Sequence, residues 1–223
     1  MIIFTAAAAN GSSFARWMGC DSNNGLTCTI SAITAPRTAT ATFNMTAPTL
    51  ALVALLSRKT HGVAGTFDLA IANQSIGGSV TVEPRVIGSG HIIVFQFDAP
   101  IVLPGTAIAM DSNNISISAA TSVGPSGSEV LVTLTGVADN SRAQVLLTGV
   151  NATATVWPAV IGFLIGDVNN SRAVTPTDIL AVKSHSGQVT IQSNFQFDLN
   201  ATGKINAADI SGAKARLGMV LVP

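Results

Sequence analysis

Two stretches near the C-terminus repeat the same order of oxygen-bearing side chains. The first is Asp167-Val-Asn-Asn-Ser-Arg-Ala-Val-Thr-Pro-Thr-Asp178, and the second is Asp198-Leu-Asn-Ala-Thr-Gly-Lys-Ile-Asn-Ala-Ala-Asp209. Oxygen-bearing side chains recur at positions 1, 3, 5, 9 and 12 of both, and position 8 is aliphatic in both. Calcium is a hard cation that takes six to eight oxygen ligands at about 2.4 Å, and a twelve-residue loop supplies them at this spacing. The sequence therefore predicts two calcium loops.

Position 7 of such a loop contributes a backbone carbonyl, so its side chain is free to vary. The predicted ligands of the two calcium ions are Asp167, Asn169, Ser171, Ala173 and Asp178 in the first loop, and Asp198, Asn200, Thr202, Lys204 and Asp209 in the second. Position 8, which is Val174 and Ile205, is expected to pair the two loops through a short β contact. The alternative interpretation is that both stretches are polar turns that bind no metal.

A short helical pattern follows each loop. Asp178 and Asp209 are each followed by Ile, and Ile210, Ala213 and Leu217 recur at helical spacing after the second loop. Without a cation, the acidic residues at the loop ends would repel one another in a segment with little core to offset chain entropy. We therefore expect calcium binding to supply much of the folding free energy of this segment.

Asp at position 12 and the duplication in register resemble the dockerin family, over roughly Gly166–Gly218. The resemblance implies a small helical module that loads two calcium ions and docks noncovalently onto a cohesin-type domain. In that family, positions 10 and 11 and the following helix contact the partner. The matching residues here are Pro176, Thr177, Lys183, Ala207, Ala208 and Lys214. The alternative interpretation of the two lysines is that they only solvate a helix surface.

Two loop positions depart from the family pattern. Position 5, usually Asp or Asn in the family, is Ser171 in the first loop and Thr202 in the second. Position 6, usually Gly for a sharp turn, is Arg172 in the first loop and Gly203 in the second. Neutral hydroxyls are weaker ligands, and a residue with a Cβ is strained where Gly is preferred. We therefore expect a lower calcium affinity than in a typical family member, with the first loop the weaker.

The chain before these loops is predicted to be mainly β. Thr and Ser alternate with apolar residues over residues 27–43, which predicts two strands. Short strand candidates between Gly, Asn and Pro turns, such as Gly77-Gly78, predict a β-sandwich over residues 47–165. In style this region resembles the immunoglobulin-like or cohesin-like sandwiches that precede dockerins. The predicted organisation is a β-hairpin repeat remnant (1–46), a β-sandwich (47–165) and a small α-helical module with two calcium loops (166–223).

Cys20 and Cys28 flank the turn cluster Asp21-Ser-Asn-Asn-Gly25. A disulfide across this loop would stabilise the segment by roughly 2.5 kcal/mol and would imply an oxidising compartment. The alternative is a metal or redox pair, but a spacing of eight with no histidine nearby fits neither. The string from Gly11 to Cys20, with Cys28-Thr-Ile and Ala39-Thr-Ala-Thr-Phe, resembles the latter half of an internalin-type bacterial surface repeat. This resemblance implies the C-terminal piece of a longer secreted or cell-surface protein.

Composition and motifs argue against several other functions. Charged residues make up 10% of the chain and the net charge is zero, so there is no electrostatic case for nucleic acid. The longest apolar runs are shorter than the roughly 20 residues that a membrane span needs. His61, His91 and His185 are isolated in the sequence, and no nucleophile elbow, phosphate loop or dinucleotide fingerprint occurs. We therefore expect a protein that binds and attaches rather than an enzyme, acting in a polysaccharide-degrading or adhesive assembly.

Two other functions stay open. In the first, the chain is a structural stalk that meets no partner. In the second, the sandwich is a carbohydrate-binding or accessory domain of an extracellular hydrolase, although the chain has no Tyr and only two Trp for a sugar platform. The polar patch Ser57–Gly62 is compatible with a ligand site, but an edge strand protected by charge is the favoured interpretation.

Overall fold

This computed structural model describes residues 1–9, 12–45, 50–72, 79–88 and 90–222 of the chain. The backbone divides into two compact units, Met1–Thr49 and Leu50–Pro223. The predicted boundary at residues 46 and 47, the turn Gly77-Gly78 and the start of the repeat-like string at Gly11 lie outside the described residues. Among the described residues, no helix is long and apolar enough to cross a membrane.

Two small antiparallel sheets make up the described part of the first unit, in the orders β1-β4-β3 and β2-β5. Their strands are β1 (Ile2–Thr5), β2 (Ser12–Met18), β3 (Ser22–Asn24), β4 (Thr27–Ile30) and β5 (Thr40–Met45). The two strands predicted from alternation over residues 27–43 correspond to β4 and β5, but each belongs to a different sheet. The ring of Trp17 packs against Phe4 and Phe14, with centroid distances of 6.5 and 5.9 Å.

The predicted disulfide between Cys20 and Cys28 is confirmed. It joins Cys20, two residues before β3, to Cys28, the second residue of β4, which is fully buried. Beside it, the carboxylate of Asp21 accepts a hydrogen bond from the backbone N–H of Ser31 at 2.8 Å and pairs with Arg37 at 2.5 Å. These two donors hold the pKa of Asp21 below its usual value. The hairpin is thus closed covalently and by hydrogen bonds.

Nine strands of the second unit's described residues form one sheet, in the order β7-β6-β9-β12-β11-β10-β13-β14-β8. They are β6 (Leu52–Thr60), β7 (Thr66–Ala70), β8 (Thr81–Glu83), β9 (His91–Phe97), β10 (Thr106–Asp111), β11 (Ser116–Val123), β12 (Glu129–Thr135), β13 (Ser141–Thr148) and β14 (Val156–Phe163). The short strand β8 pairs in parallel with β14, and the other pairs are antiparallel. The prediction of a mainly β chain is confirmed.

Side chains from both halves of this sheet share one hydrophobic core. Alternation along β9 buries Ile93, Phe95 and Phe97, as expected for a strand with one apolar face. Phe97 of β9 packs edge-to-face on Trp157 of β14, with ring centroids 5.1 Å apart, although β9 and β14 lie in opposite halves of the strand order. The sequence predicted a sandwich, and the structure shows one continuous sheet whose halves pack against each other.

Two short helices follow the sheet, α1 (Pro176–Ser184) and α2 (Ala207–Lys214). Pro176 occupies the first turn of α1, where its missing N–H leaves no unsatisfied donor. Neither helix is long enough to be stable alone, so packing must supply their stability. Their shared core consists of Val182, Leu199, Ile205 and Ala213, all at most 1% exposed.

The helical segment packs directly against the sheet. A second apolar cluster joins Val82 and Leu164 from the sheet region to Val174 and Leu221 from the helical segment. Backbone contacts reinforce it, because the N–H of Val86 donates to the carbonyl of Leu199 at 2.7 Å. An ion pair between Arg216 and Asp139, at 2.6 Å, adds a further contact. The helices and their loops are therefore held on a rigid support.

Candidate metal and docking site

The first predicted loop closes around the carboxylates of Asp167 and Asp178. Asp167 accepts hydrogen bonds from the backbone N–H groups of Ser171 at 2.9 Å and Arg172 at 2.7 Å. At the other end, Asp178 accepts one from the backbone N–H of Val168 at 3.1 Å. Both side chains are buried, with exposures of 1% and 0%. The loop therefore gathers two negative charges in its interior.

The remaining predicted oxygen ligands of this loop lie next to these carboxylates. The hydroxyl of Ser171 is 2.9 Å from the carbonyl of Ala173 and 3.4 Å from Asp167 Oδ1. The amide oxygen of Asn169 accepts from the backbone N–H of Ser171 at 2.9 Å. These oxygen atoms therefore lie close together inside the loop, joined by hydrogen bonds.

The second loop repeats these hydrogen bonds in the same register. Asp198 accepts from the backbone N–H groups of Thr202 at 3.1 Å and Gly203 at 2.8 Å. Asp209 accepts from the backbone N–H of Asn200 at 3.1 Å, and both carboxylates are fully buried. The hydroxyl of Thr202 lies 3.4 Å from the carbonyl of Lys204. The sequence repeat is therefore matched by a repeat of the same hydrogen bonds in the structure.

The possible metal ligands of both loops are oxygen atoms, and most of them are neutral. Among the described residues, no three His, Cys, Asp or Glu side chains cluster in a way that could hold a metal ion. Each loop thus offers two carboxylates, supplemented by amide, hydroxyl and backbone oxygens. Such an all-oxygen set with flexible geometry suits calcium better than a transition metal. The residues present therefore fit the expected ion.

The pKa values of the two carboxylates at position 1 shift in opposite directions. Burial raises the pKa of Asp167, and the backbone donors only partly oppose it. Burial also acts on Asp198, but hydrogen bonds from His61 and Thr190 outweigh it and lower the pKa. At position 12 of the second loop, burial raises the pKa of Asp209. A bound cation would favour the ionised form of each carboxylate.

Positions 4 and 6 of both loops have left-handed backbone. The φ angles are 61° at Asn170 and 67° at Arg172 in the first loop, and 53° at Ala201 and 91° at Gly203 in the second. A residue with a Cβ costs about 1–2 kcal/mol in this region, whereas Gly costs almost nothing. The strain expected at Arg172 is therefore present in the backbone, and the second loop avoids it at position 6.

The expected β contact between Val174 and Ile205 is wrong. The N–H of Val174 donates to the carbonyl of Met219 at 2.9 Å, in the segment that leaves α2. The N–H of Ile205 donates to the carbonyl of Gln188 at 3.0 Å, in the segment that leaves α1. Each loop thus pairs with the strand-like exit of the other repeat's helix. Because those exits occupy the backbone groups at position 8, the two loops cannot pair with each other.

Both loops and both helices lie within one match to a sequence family. Residues 165–218 match the dockerin type I domain. A search of curated proteins finds no match to the chain. The family match supports the dockerin resemblance for this segment, and dockerins as a family are docking modules rather than catalytic ones. The internalin-type resemblance of the first unit stays a prediction.

The six predicted partner residues all lie on the surface of the dockerin segment. Pro176 and Thr177 begin α1, and Ala207 and Ala208 begin α2. The remaining two, Lys183 and Lys214, lie in the last turn of their helices. The packing of the sheet against the helices covers none of them.

The exposure of two leucines in the dockerin segment was not predicted from the sequence. Leu180 on α1 is 63% exposed, and Leu217 after α2 is 52% exposed. The helical spacing of Ile210, Ala213 and Leu217 predicts a helix that reaches Leu217, but α2 ends at Lys214. Because α2 is shorter than the pattern suggested, Leu217 faces outward. Both leucines are therefore exposed on the surface of the dockerin segment.

Two of the three histidines are buried and hydrogen-bonded. His61 Nδ1 lies 2.7 Å from Asp198 Oδ2, and its Nε2 lies 3.1 Å from Nη1 of Arg85. Since a guanidinium has no acceptor, Nε2 must accept from Arg85, and the hydrogen on Nδ1 is donated to Asp198. His61 and Asp198 are 137 positions apart, so no local pattern could have indicated the contact. His185 stacks on Phe197 with ring centroids 3.9 Å apart.

A buried Ser, His and Glu cluster lies close to this contact. Ser57 Oγ donates to Glu83 and lies 2.6 Å from His91 Nε2. Arg85 pairs with Glu83 at 2.6 Å and, against the effect of burial, lowers the pKa of that carboxyl to about 2. Burial lowers the pKa of His91 to about 4. Ser57 is fully buried and its hydroxyl hydrogen is committed to Glu83, so the cluster lacks the access that a nucleophile needs.

The charged patch on β6 does not protect an edge strand, which corrects the favoured interpretation of Ser57–Gly62. β6 lies between β7 and β9, and β7 forms this edge of the sheet. Arg58 pairs at 2.8 Å with both Asp68 and Glu129, so its charge links β6 to β7 and to β12. An open groove of about 880 Å³ passes over these side chains and reaches Asn200. Arg58 is therefore neutralised inside the protein.

Proposed function

We propose that this chain is the docking portion of a secreted or surface bacterial protein. Its dockerin segment loads two calcium ions and binds a cohesin-type domain noncovalently. The observation that carries the proposal is the repeated hydrogen-bond register of the two loops, which buries the carboxylates of Asp167, Asp178, Asp198 and Asp209. Four buried carboxylates are stable only with compensating partners, and calcium supplies that compensation.

Calcium acts in this proposal by setting the two helices. Asp178 and Asp209 close their loops and also occupy the third position of α1 and α2. A cation held by either loop would therefore fix the start of the following helix. The ions would be held by Asp167, Asn169, Ser171, Ala173 and Asp178 in one loop, and by Asp198, Asn200, Thr202, Lys204 and Asp209 in the other. Chelation would release both helix starts together.

The docking face consists of the exposed starts and last turns of both helices. Lys183 and Lys214 are equivalent in the two repeats, which gives the face an approximate two-fold symmetry. Leu180 and Leu217 add apolar surface that a partner would bury, at about 25 cal/mol per Å². We infer that these side chains, with Pro176 and Ala207 at the helix starts, contact the cohesin-type partner.

An extracellular setting is part of the proposal. The disulfide between Cys20 and Cys28 is of a kind that persists in oxidising compartments and is rare in the cytosol. A docking module attaches its protein to a larger assembly, and a polysaccharide-degrading or adhesive assembly fits this role. The chain then contributes attachment, and its partners contribute the chemistry.

The proposal is tested by binding the purified chain to a panel of cohesin domains, with calcium or with EGTA. We expect one or more cohesins to bind only with calcium, and the double variant Lys183→Glu/Lys214→Glu to bind at least tenfold more weakly. Arg16→Glu, an exposed charge reversal in the first unit, is the matched control and should bind normally. Circular dichroism must show that the double variant is folded. A calcium-loaded chain that binds no cohesin would contradict the docking function.

A structural stalk is the second candidate, favoured by the close packing of the dockerin segment on the sheet. Val86 and Leu199 share a backbone hydrogen bond, and Arg216 pairs with Asp139, so calcium would rigidify the whole second unit. A stalk would show calcium-dependent stability without cohesin binding. A carbohydrate-binding sandwich receives less support, because Trp157 is 6% exposed and offers no sugar platform. A glycan array probed with the full chain distinguishes this last function.

A further inference from the structure

The turn that joins β6 to β7, residues His61–Gly65, lies against the second calcium loop. His61 donates from Nδ1 to Oδ2 of Asp198 at 2.7 Å. Arg85 donates to His61 Nε2 on the other side of the ring, which keeps the hydrogen on Nδ1. Asp198 Oδ2 also accepts from Thr190 Oγ1 at 2.8 Å and from the backbone N–H of Gly203. Three donors on Oδ2 therefore fix the rotamer of Asp198, and Oδ1 accepts from the backbone N–H of Thr202 inside the loop.

The backbones of the 61–65 turn and the second loop approach more closely than side chains would allow. A Cβ on Gly62 would lie 2.5 Å from the carbonyl oxygen of Thr202. A Cβ on Gly203 would lie 2.8 Å from the carbonyl oxygen of His61. Real Cβ atoms do not approach this closely, so each surface requires glycine at the point of contact. The two surfaces are complementary in backbone shape.

Aromatic packing anchors the entry to the second loop on the same side. Phe67 of β7 stacks on Phe195 with ring centroids 5.7 Å apart and planes 3° apart. The guanidinium of Arg85 lies over the Phe195 ring, 5.0 Å from its centroid, in cation–π geometry. Phe195 belongs to the short 3₁₀ turn Phe195–Phe197, immediately before Asp198. The first ligand of the loop is therefore held by both its side chain and its preceding backbone.

The first loop has no equivalent support at Asp167. Its Oδ2 accepts from the backbone N–H of Arg172, and Oδ1 accepts from Ser171, both inside the loop itself. Within the described ranges, no histidine and no ion-pair partner contacts Asp167. The two loops therefore have the same internal hydrogen bonds. They differ at position 1, where Asp198 has a hydrogen-bond partner outside its loop and Asp167, among the described residues, does not.

We propose that the 61–65 turn is a positioning element for the second calcium loop, with His61 as its central residue. The turn holds Asp198 in the orientation needed for calcium before any ion arrives. The second loop then binds calcium more tightly than the first, because its first ligand is already ordered and binding costs less conformational entropy. By linkage, calcium in the second loop also stabilises the 61–65 turn. This inference rests on the proposed calcium binding.

The first test compares the calcium affinities of the two loops in the full chain. Calorimetric calcium titration should resolve a tight and a weak site, and hydrogen exchange of peptides 167–178 and 198–209 assigns them. His61→Leu should weaken the site at 198–209 about 10- to 100-fold, as removal of a residue behind a metal ligand typically does. His61→Asn keeps an amide donor near the place of Nδ1 and should recover most of the affinity. The site at 167–178 should not change.

A second pair of variants tests the contact through the backbone. Gly62→Ala introduces a Cβ against Thr202, and we expect at least tenfold weaker calcium binding by the second loop. Gly136→Ala is the matched control, because Gly136 also has a positive φ, 80°, and its Cβ would meet nothing within 4 Å. Gly136 follows β12 and lies outside both the 61–65 turn and the second loop, so Gly136→Ala should leave the calcium affinity of that loop unchanged.

Hydrogen exchange without calcium gives a readout that needs no metal. We expect peptide 198–209 to exchange more slowly than peptide 167–178 in the wild-type protein, and His61→Leu to remove this difference. Normal calcium affinity in both His61→Leu and Gly62→Ala would overturn the positioning role while leaving calcium binding intact. A wild-type chain that binds calcium at neither loop would instead overturn the proposed function, and with it this inference.

Discussion

Asp178 accepts a hydrogen bond from the backbone N–H of Thr175 at 2.9 Å, so the residue that closes the first loop also caps helix α1. Asp209 accepts from the N–H of Asn206 at 2.8 Å and does the same for α2. An acidic group in the first turn also interacts favourably with the helix dipole. Each of these aspartates therefore links its loop to the helix that carries half of the proposed docking face.

Chelation of calcium is expected to melt both helices because of this link. A ligand at 100 times its dissociation constant stabilises the folded state by about 2.7 kcal/mol. We therefore expect EGTA to lower the melting temperature by several degrees and to reduce the helical circular dichroism. Asp178→Asn should remove part of the calcium effect, and Asp178→Asn/Asp209→Asn most of it. An unchanged helix signal and melting curve on chelation would contradict the calcium loops.

Arg172→Gly should stabilise the first loop. Arg172 has a φ of 67°, and Gly relieves about 1–2 kcal/mol of strain, less the entropy that Gly adds to the unfolded chain. We expect a net gain of roughly 0.5–1 kcal/mol in the free energy of unfolding, measured by urea denaturation with calcium present. Arg172→Ala removes the guanidinium but keeps the Cβ, so it should bring no gain. Equal stabilisation by both variants would locate the effect in the charge instead.

The stability of the second unit should fall as the pH drops from about 6.5 to about 4. Burial lowers the pKa of His91 to about 4, so in this range the unfolded chain binds a proton that the folded protein does not. Glu83, Lys59 and Arg85 face His91, and Glu83 partly opposes the shift. The lowered pKa of Glu83, about 2, adds a further loss below pH 4.5.

Urea denaturation at a series of pH values measures this effect, which amounts to about 3 kcal/mol between the ends of the His91 range. His91→Gln keeps an amide donor for Ser57 but does not titrate, so the slope between pH 6.5 and 4 should largely disappear. Saturating calcium is included at every pH to keep the loop carboxylates ionised. A wild-type slope that persists in His91→Gln would assign the pH dependence to other groups.

Loss of the disulfide should destabilise the β3–β4 hairpin. Closing a loop of this length stabilises the folded chain by roughly 2.5 kcal/mol, so Cys20→Ser/Cys28→Ser should lose about this amount. Faster hydrogen exchange of peptides covering β3 and β4 measures the loss, with peptides from residues 50–223 as the internal reference. Intact mass of the wild-type protein before and after reduction checks that the bond forms. Unchanged exchange in the double variant would show that the hairpin is held by Asp21 and Arg37 instead.

The sequence was informative wherever the chemistry is local. The predicted ligands of each loop lie within twelve residues, and in the structure hydrogen bonds to Asp167 and Asp198 close both of these segments. The disulfide, which spans nine residues, and the strands with alternating apolar residues are local features of the same kind. Helix length was harder, because the outward position of Leu217 depends on where packing ends α2.

The sequence by itself determined that the chain is mainly β, that it ends in two oxygen-rich loops of dockerin type, and that its two cysteines pair. These features depend on contacts between neighbours along the chain. Only the tertiary structure decided that β6 lies inside the sheet, that Val174 pairs with Met219, and that His61 binds Asp198. Those contacts join residues tens to more than a hundred positions apart. They are chosen by which surfaces pack together, a property that no local pattern encodes.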